Sequence, residues 1–390
     1  MTATGTPPAS VDRSGHAAAR WRIVAVFCLH AIVGAMLYIR IPDLQLQAGI
    51  GDAELGRILM GAPTGALATF LFASRLIDGI GTRRVILASF LLTVASAALM
   101  TASGNGFVMF AVLLLNGGAT SLSNIAINVE ADRVEVATGG RIMNRCHGAW
   151  STTFFVFSLA AGFIRSLGIL PVVHLWALVP IYAFAALIVV VPMRECPART
   201  FGARQQRLTI AWPTLAVFAL VAYSLGSQLL EGAARVWATI FLRDAFEVPP
   251  IVESSALPAL VLTMAMGRLM ADRWIEAHGP RRIAGITSVI ALVGFSVVVV
   301  APSAYVALVG FALTGVGIGV VYPLMISAAA RLGDRSAAEN VAATTLLVQL
   351  LTLVAPMLIG EIAQGFGVRT AFAAILPFLL LATVMSRVLR

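Results

Sequence analysis

Apolar stretches of about 20 residues, the length that crosses a bilayer as a helix, follow one another along this chain. Twelve can be laid down, at 21–41, 54–74, 83–102, 106–129, 144–166, 169–193, 211–233, 251–271, 281–301, 303–330, 339–363 and 368–388. They leave no length for a separate soluble domain. In hydrocarbon, backbone N–H and C=O groups must be bonded internally, and runs this long do so as helices. The expectation is an all-α membrane protein with twelve transmembrane helices.

Hydrophobic residues are 59% and charged residues 12% of the chain, about half the charged share of a soluble domain. That excludes a disordered chain and argues against a soluble enzyme. All 27 basic residues are arginine. Schiff-base chemistry on lysine is therefore excluded, and a transported proton would ride on Asp, Glu or His, since arginine stays protonated. The net charge of +9 is no sign of nucleic acid here, because the arginines cluster between apolar runs. With the N-terminus inside, 21 of the 27 fall on inner segments; Arg40, Arg57, Arg165, Arg235, Arg243 and Arg369 remain outside. The positive-inside rule then places both termini in the cytoplasm.

Residues 1–19 read as a disordered cytoplasmic tail. The apolar run after them is too long for a signal peptide and lacks a clear cleavage site, so it is the first span. Cys28, Cys146 and Cys196 are far apart and odd in number, which suits packing residues or free thiols rather than a disulfide framework. No metal-ligand spacing and no phosphate-binding Walker loop is present. No cofactor is expected.

An internal repeat organises the spans. Gly81-Thr82-Arg83-Arg84-Val85 matches Gly279-Pro280-Arg281-Arg282-Ile283 at a shift of 198 residues, and at the same shift Gly117 meets Gly315 and Gly162 meets Gly360. The chain therefore divides into a six-helix half at 20–193, a cytoplasmic central loop at 194–210 and a second half at 211–390. Six spans per half give both halves one orientation, the parallel-repeat logic of a secondary transporter with its site between the halves.

The loop Ser74-Arg75-Leu76-Ile77-Asp78-Gly79-Ile80-Gly81-Thr82-Arg83-Arg84, with its second copy at Gly267-Arg268, Asp272-Arg273 and Gly279-Pro280-Arg281-Arg282, resembles the signature loop of the major facilitator superfamily. The first copy departs from it, with Ser74 for the leading glycine and Gly79 for a basic residue; the second has a longer spacer. His147-Gly148-Ala149-Trp150-Ser151 and Glu231-Gly232-Ala233 are similar to segments of bacterial facilitators related to sugar permeases. The resemblance implies the major facilitator fold, a bacterial inner membrane, a small-molecule substrate and a monomer. Such a loop is a cytoplasmic latch, in which an acid at a helix end pairs with arginines and with the positive start of a neighbouring helix. Asp78 and Asp272 are the candidate latch acids, with Arg83, Arg84, Arg273 and Arg281. Plain positive-inside anchoring explains the arginines equally well.

Polar residues inside the spans supply the candidate site, since intramembrane charge usually faces a cavity or a partner. Ser224, Gln228, Glu231 and Arg235 share one face of span 7. Glu231 is either a proton carrier or a substrate anchor, and the bland alternative is a structural Glu231–Arg235 pair. In span 4, Ser121, Asn124 and Asn128 share a face that suits hydroxyl- or amide-bearing solutes or bonds between helices. Glu130, near Arg133, reads as a structural salt bridge or gate. His30, with Gly34 and Tyr38 on its face, is a coupling candidate, or a neutral histidine bonded to its neighbour. His147 suits a gate. Tyr322 and Gln349 are polar positions on spans better explained by packing. Trp237 stacks on a solute or anchors at the interface.

The leading expectation is a secondary transporter of a small polar solute, proton-coupled and working by alternating access. Export of an amphipathic compound is the first alternative, although span 5 lacks the glycine–proline pattern that the resemblance associates with drug/proton antiporters. A non-transporting sensor on the same fold is the second. An intramembrane enzyme would need a converging catalytic constellation, and none is found.

Overall fold

The structure, a computed structural model, describes residues 13–193 and 213–389. The central loop at 194–210 and residues 1–12 of the expected tail lie outside the described residues. Residues 13–19, expected in the tail, are instead the opening turns of the first helix.

Twelve helical columns cross the molecule, and among the described residues there is no strand. They are α1 (Arg13–Ala48), α2 (Asp52–Leu59, Gly61–Phe70 and Ala73–Ile80), α3 (Thr82–Leu99), α4 (Gly106–Thr138), α5 (Met143–Ser166), α6 (Pro171–Val190), α7 (Leu215–Ala245), α8 (Pro250–Glu253 and Ala256–His278), α9 (Pro280–Val300), α10 (Ala304–Ile318 and Val321–Ala330), α11 (Ala337–Phe366) and α12 (Val368–Ala373 and Leu376–Met385). Ten are long and apolar enough to cross a membrane, with α8, α10 and α12 counted across a short break; α2, bent by 60° after Phe70, makes eleven. The twelfth, α5, is diluted by Arg145, His147 and Arg165 and by its hydroxyl residues.

Helix ends are set locally. The side chains of Asn105, Thr214, Ser303 and Ser336 accept from backbone N–H groups in the first turns of α4, α7, α10 and α11, supplying partners that a helix start lacks. Several helices outrun the predicted spans: α7 continues to Ala245, so Arg235 sits within a continuous helix.

The 198-residue repeat holds in three dimensions. Gly81 and Gly279 open α3 and α9 with φ of 89° and 78°, a conformation reserved for glycine. A Cβ on Gly117 would lie 2.0 Å from the carbonyl oxygen of Ala62; one on Gly315 would lie 2.3 Å from that of Leu260. Ala62 and Leu260 are themselves 198 residues apart, so the α2–α4 and α8–α10 contacts are copies of each other.

The halves meet along α2 with α11, α5 with α8, and α1 with α7. The first two seams also obey the repeat. A Cβ on Gly360 would come within 2.9 Å of Gly56 Cα, and one on Gly162 within 2.8 Å of Ser254 Cβ. Small residues let the backbones approach closely, as membrane helices require for tight packing.

Candidate functional site

The site begins on α7, whose polar residues recur at helical spacing. Glu231 Oε1 lies 2.5 Å from Arg235 Nη2, one turn away. Its other oxygen, Oε2, lies 3.9 Å from Arg268 Nη2 on α8. Arg268 also donates from Nε to the Gly319 carbonyl at 3.0 Å. Position 268 reads from sequence as an inner-side arginine; the structure turns it toward Glu231 and the break in α10. The missed signal is that 268 lies inside the predicted span 251–271, where a charge needs a partner.

The cluster reaches the first half. Tyr38 on α1 interacts with Arg235, and its ring lies 6.4 Å from that of Phe154, which stacks on Trp150 at 5.2 Å. His147, exposed at the start of α5, is within electrostatic reach of Arg268 and sits edge-on to Phe27 at 5.3 Å. His30 is held by α4, with Nδ1 3.1 Å from Ser123 Oγ and Nε2 3.5 Å from Asn124 Nδ2. Because Ser123 spends its proton on the Thr120 carbonyl, it accepts from Nδ1–H and leaves Nε2 as acceptor for the amide. In that tautomer both ring nitrogens of His30 have a partner on α4. Asn128 donates to the Asn124 carbonyl at 2.8 Å, so the α4 stripe adjoins the histidine.

Gln228, Tyr322 and Gln349 are half-buried and make no side-chain hydrogen bond to a described residue. No bond ties them to the charged cluster. Two expectations fail. Trp237 is buried in the core at 1% exposure, because two residues along a helix turn a side chain about 200° away from Arg235; so enclosed, it cannot stack on a solute or anchor at a membrane surface. Ser224 is fully buried and bonds back to the Val221 carbonyl, so the accessible part of the α7 stripe starts at Gln228.

The expected latch residues divide. Glu130 is fully buried and accepts from Thr82 Oγ1 at 2.5 Å, with Arg133 at 3.9 Å. Arg83 donates to the carbonyls of Val191 and Met193. Asp78 is exposed and has no hydrogen bond or ion pair to a described residue. Arg84, Arg273 and Arg281 are exposed. The side chain of Asp272 lies outside the described residues.

The hydrogen bonds joining the halves gather at the α1–α2 end. Arg165 on α5 holds Asp43 Oδ1 at 2.8 Å and Glu253 Oε2, on α8, at 2.5 Å. Arg40 holds Asp43 Oδ2 at 2.8 Å and donates to His174 Nδ1 at 2.9 Å. Arg243 donates to Gln45 Oε1 at 3.1 Å, the Gln364 side chain accepts from Asp52 N, and Arg57 pairs with Glu361. Sequence reading placed Arg40, Arg57, Arg165 and Arg243 outside by elimination and gave them no partners, because the acids they bind are remote in the chain.

No family model matches the chain. It is similar over nearly its whole length to an uncharacterized transporter of Sinorhizobium fredii, with 26% identity over 374 residues, 95% of this chain and 98% of that protein. It is also 27% identical to the membrane protein MosC of Rhizobium meliloti over 353 residues, 90% of this chain and 85% of that one. An uncharacterized MFS-type transporter of Yersinia pestis is 24% identical over 347 residues, 89% of each. Among solved structures, the nucleoside transporter NupG superposes with a TM-score of 0.75 at 13% identity over 95% of this chain and 100% of that one. A bacterial homologue of the lysosomal transporter Spinster, in an inward-facing, unoccupied conformation, gives 0.72 at 15% over 97% and 98%. The chain has the major facilitator fold, and it is similar along most of its length to proteins named as transporters of that superfamily.

Proposed function

We propose that this protein is a secondary transporter that moves a small polar solute by alternating access, coupled to protons, with residues 20–193 rocking against 211–390. The observation that carries the reading is the position of the Glu231–Arg235–Arg268 cluster: it lies at the junction of the halves, below an end laced shut by Asp43, Arg165 and Glu253. By the arginine rule the laced end is outside and both termini are cytoplasmic, so the site opens inward in this state. Asp78, exposed and without a described partner, fits a cytoplasmic latch that is released while the outer end is closed.

Solute hydroxyls or amides would bond to Asn124, Asn128, Gln228 and Gln349, whose groups are suited to uncharged polar solutes. Nucleosides, the solutes in NupG's name, belong to this class. Protonation of Glu231 would release Arg235 and Arg268 and so couple the charge of the site to the solute and to the rocking of the halves.

The test is accumulation in proteoliposomes under an inward proton gradient, using a mixed library of sugars, polyols and nucleosides read by mass spectrometry. Wild type should accumulate one class of solute, and Glu231→Gln should abolish gradient-driven accumulation. Accumulation unaffected by Glu231→Gln makes the Glu231–Arg235 pair structural and moves the coupling role to His30. No accumulation beside a working control transporter favours export or a sensor.

A further inference from the structure

The arginines fall into two populations. Arg40, Arg57, Arg165, Arg243 and Arg369 at the α1–α2 end each hold a carboxylate, a carbonyl or an aromatic ring. At the opposite end Arg281 and Arg282, opening α9, and Arg387, after α12, are exposed and have no hydrogen bond or ion pair to a described residue. All three converge on a groove of about 780 Å³ between α9 and the end of α12, within the size range of small-molecule sites. Its wall is the apolar face of α9, Ile286, Val289 and Ile290, where Ile286 and Val289 are each 46% exposed. One end of the groove is cationic and the other continues onto a lipid-facing surface.

The repeat shows what is missing. At the equivalent start of α3, Thr82 binds the buried carboxylate of Glu130, and Arg83 is spent on the carbonyls of Val191 and Met193. Shifted by 198 residues, Thr82 becomes Pro280 and Glu130 becomes Ala328. The second half keeps the arginine pair and the helix start but has lost the resident acid and its hydroxyl contact. The positive end of α9 adds to the guanidinium charges.

We infer that this groove binds an anionic phospholipid, its phosphate on Arg281, Arg282 and Arg387 and its acyl chains along Ile286 and Val289. Basic pockets between membrane helices take such headgroups, and each basic residue near the surface contributes about a fivefold factor. Free phosphate shares the headgroup chemistry but has no use for the apolar wall.

The full chain, delipidated in detergent, would be titrated with phosphatidylglycerol and, separately, phosphatidylcholine, and read by native mass spectrometry. Wild type should retain one tightly bound phosphatidylglycerol and discriminate against phosphatidylcholine. The triple variant Arg281→Gln/Arg282→Gln/Arg387→Gln should bind it roughly 100-fold more weakly by the same per-residue factor. Arg387→Gln alone, at the exposed end of the chain's last helix, should lose about fivefold and guards against a triple variant that fails to fold. Arg75→Gln/Arg84→Gln/Arg273→Gln removes three exposed arginines at the same end and should leave the tight lipid in place. Equal losses in the two triple variants would overturn the inference, as would equal retention of phosphatidylcholine. Displacement of the lipid by millimolar inorganic phosphate would overturn the lipid assignment in favour of a free-anion site.

Discussion

Arg165 and Glu253 face each other across the α5–α8 seam, Nη1 to Oε2 at 2.5 Å, and both are buried. Removing one partner of a buried pair costs about 3–5 kcal/mol, because the other charge is left uncompensated. That cost falls on the state in which the halves touch at this end. Glu253→Gln is therefore expected to shift the population toward a state open at the α1–α2 end. Spin labels at the exposed positions Ser166 and Glu247, one in each half, should report a longer-distance component; an unchanged distribution would mean that the Arg165–Glu253 pair does not hold the halves together at this end. Arg57 and Glu361 also join the halves, but their side chains are 54% and 48% exposed. A pair of that kind contributes about 0–1 kcal/mol, so Arg57→Ala should leave the same distribution nearly as it is.

Glycines separate the fold from the motion. An alanine at Gly117 would drive its Cβ to 2.0 Å from the Ala62 carbonyl oxygen, inside the first half. An alanine at Gly360 would meet the Asp52 carbonyl oxygen at 2.4 Å, across the seam between halves. Overpacking costs about 1–3 kcal/mol. Gly117→Ala has no relief short of disturbing the half itself and should lower the midpoint of thermal unfolding. Gly360→Ala is relieved by separating the halves, so it should open the α1–α2 end in the spin-label measurement at nearly unchanged thermal midpoint. A large fall in the midpoint for Gly360→Ala would show that the seam is part of the folded core.

The loop between α10 and α11 carries an acid-sensitive tie. The buried Asn340 donates from Nδ2 to Asp334 Oδ1 at 2.7 Å. That bond, with help from Thr214, holds the Asp334 carboxyl below its ordinary range. A depressed carboxyl stabilises the fold above its unfolded value, near about 3.9, and the contribution is lost as pH falls through the lower folded value. Thermal unfolding of wild type and Asp334→Asn should therefore differ at pH 6 and converge toward pH 3. A gap that persists at pH 3 would mean the aspartate acts through shape rather than charge.

The twelve columns and the repeat were legible because both rest on local patterns, apolar length and a recurring Gly-x-Arg-Arg. The α7 stripe was legible for the same reason: Gln228, Glu231 and Arg235 share a face at helical spacing. What escaped was partnership across the chain. Glu253, at the start of the predicted span 251–271, has no visible partner in the sequence until α8 brings it against Arg165, 88 residues away. Trp237 reads as a site aromatic because tryptophan suits a solute or an interface, and only the packing of α7 shows which way it turns. Arg268 was discounted because arginines near span ends usually anchor topology, a rule that says nothing about the depth of one arginine.

Arg268 carries a sharper prediction, because two jobs meet in one side chain. Pro323 has no N–H, so the Gly319 carbonyl four residues earlier lacks its helical donor. Arg268 Nε supplies it at 3.0 Å, while Nη2 stands 3.9 Å from Glu231. Arg268→Gln should lower the thermal midpoint, since an unsatisfied buried carbonyl costs about 1–3 kcal/mol, and should also abolish uptake. Pro323→Ala returns an N–H to α10 and separates the two effects. In that background Arg268→Gln should regain thermal stability while uptake stays lost, because the guanidinium facing Glu231 is still missing. Recovery of both would reduce Arg268 to a strut for the α10 break and leave Glu231 and Arg235 alone at the centre of the site.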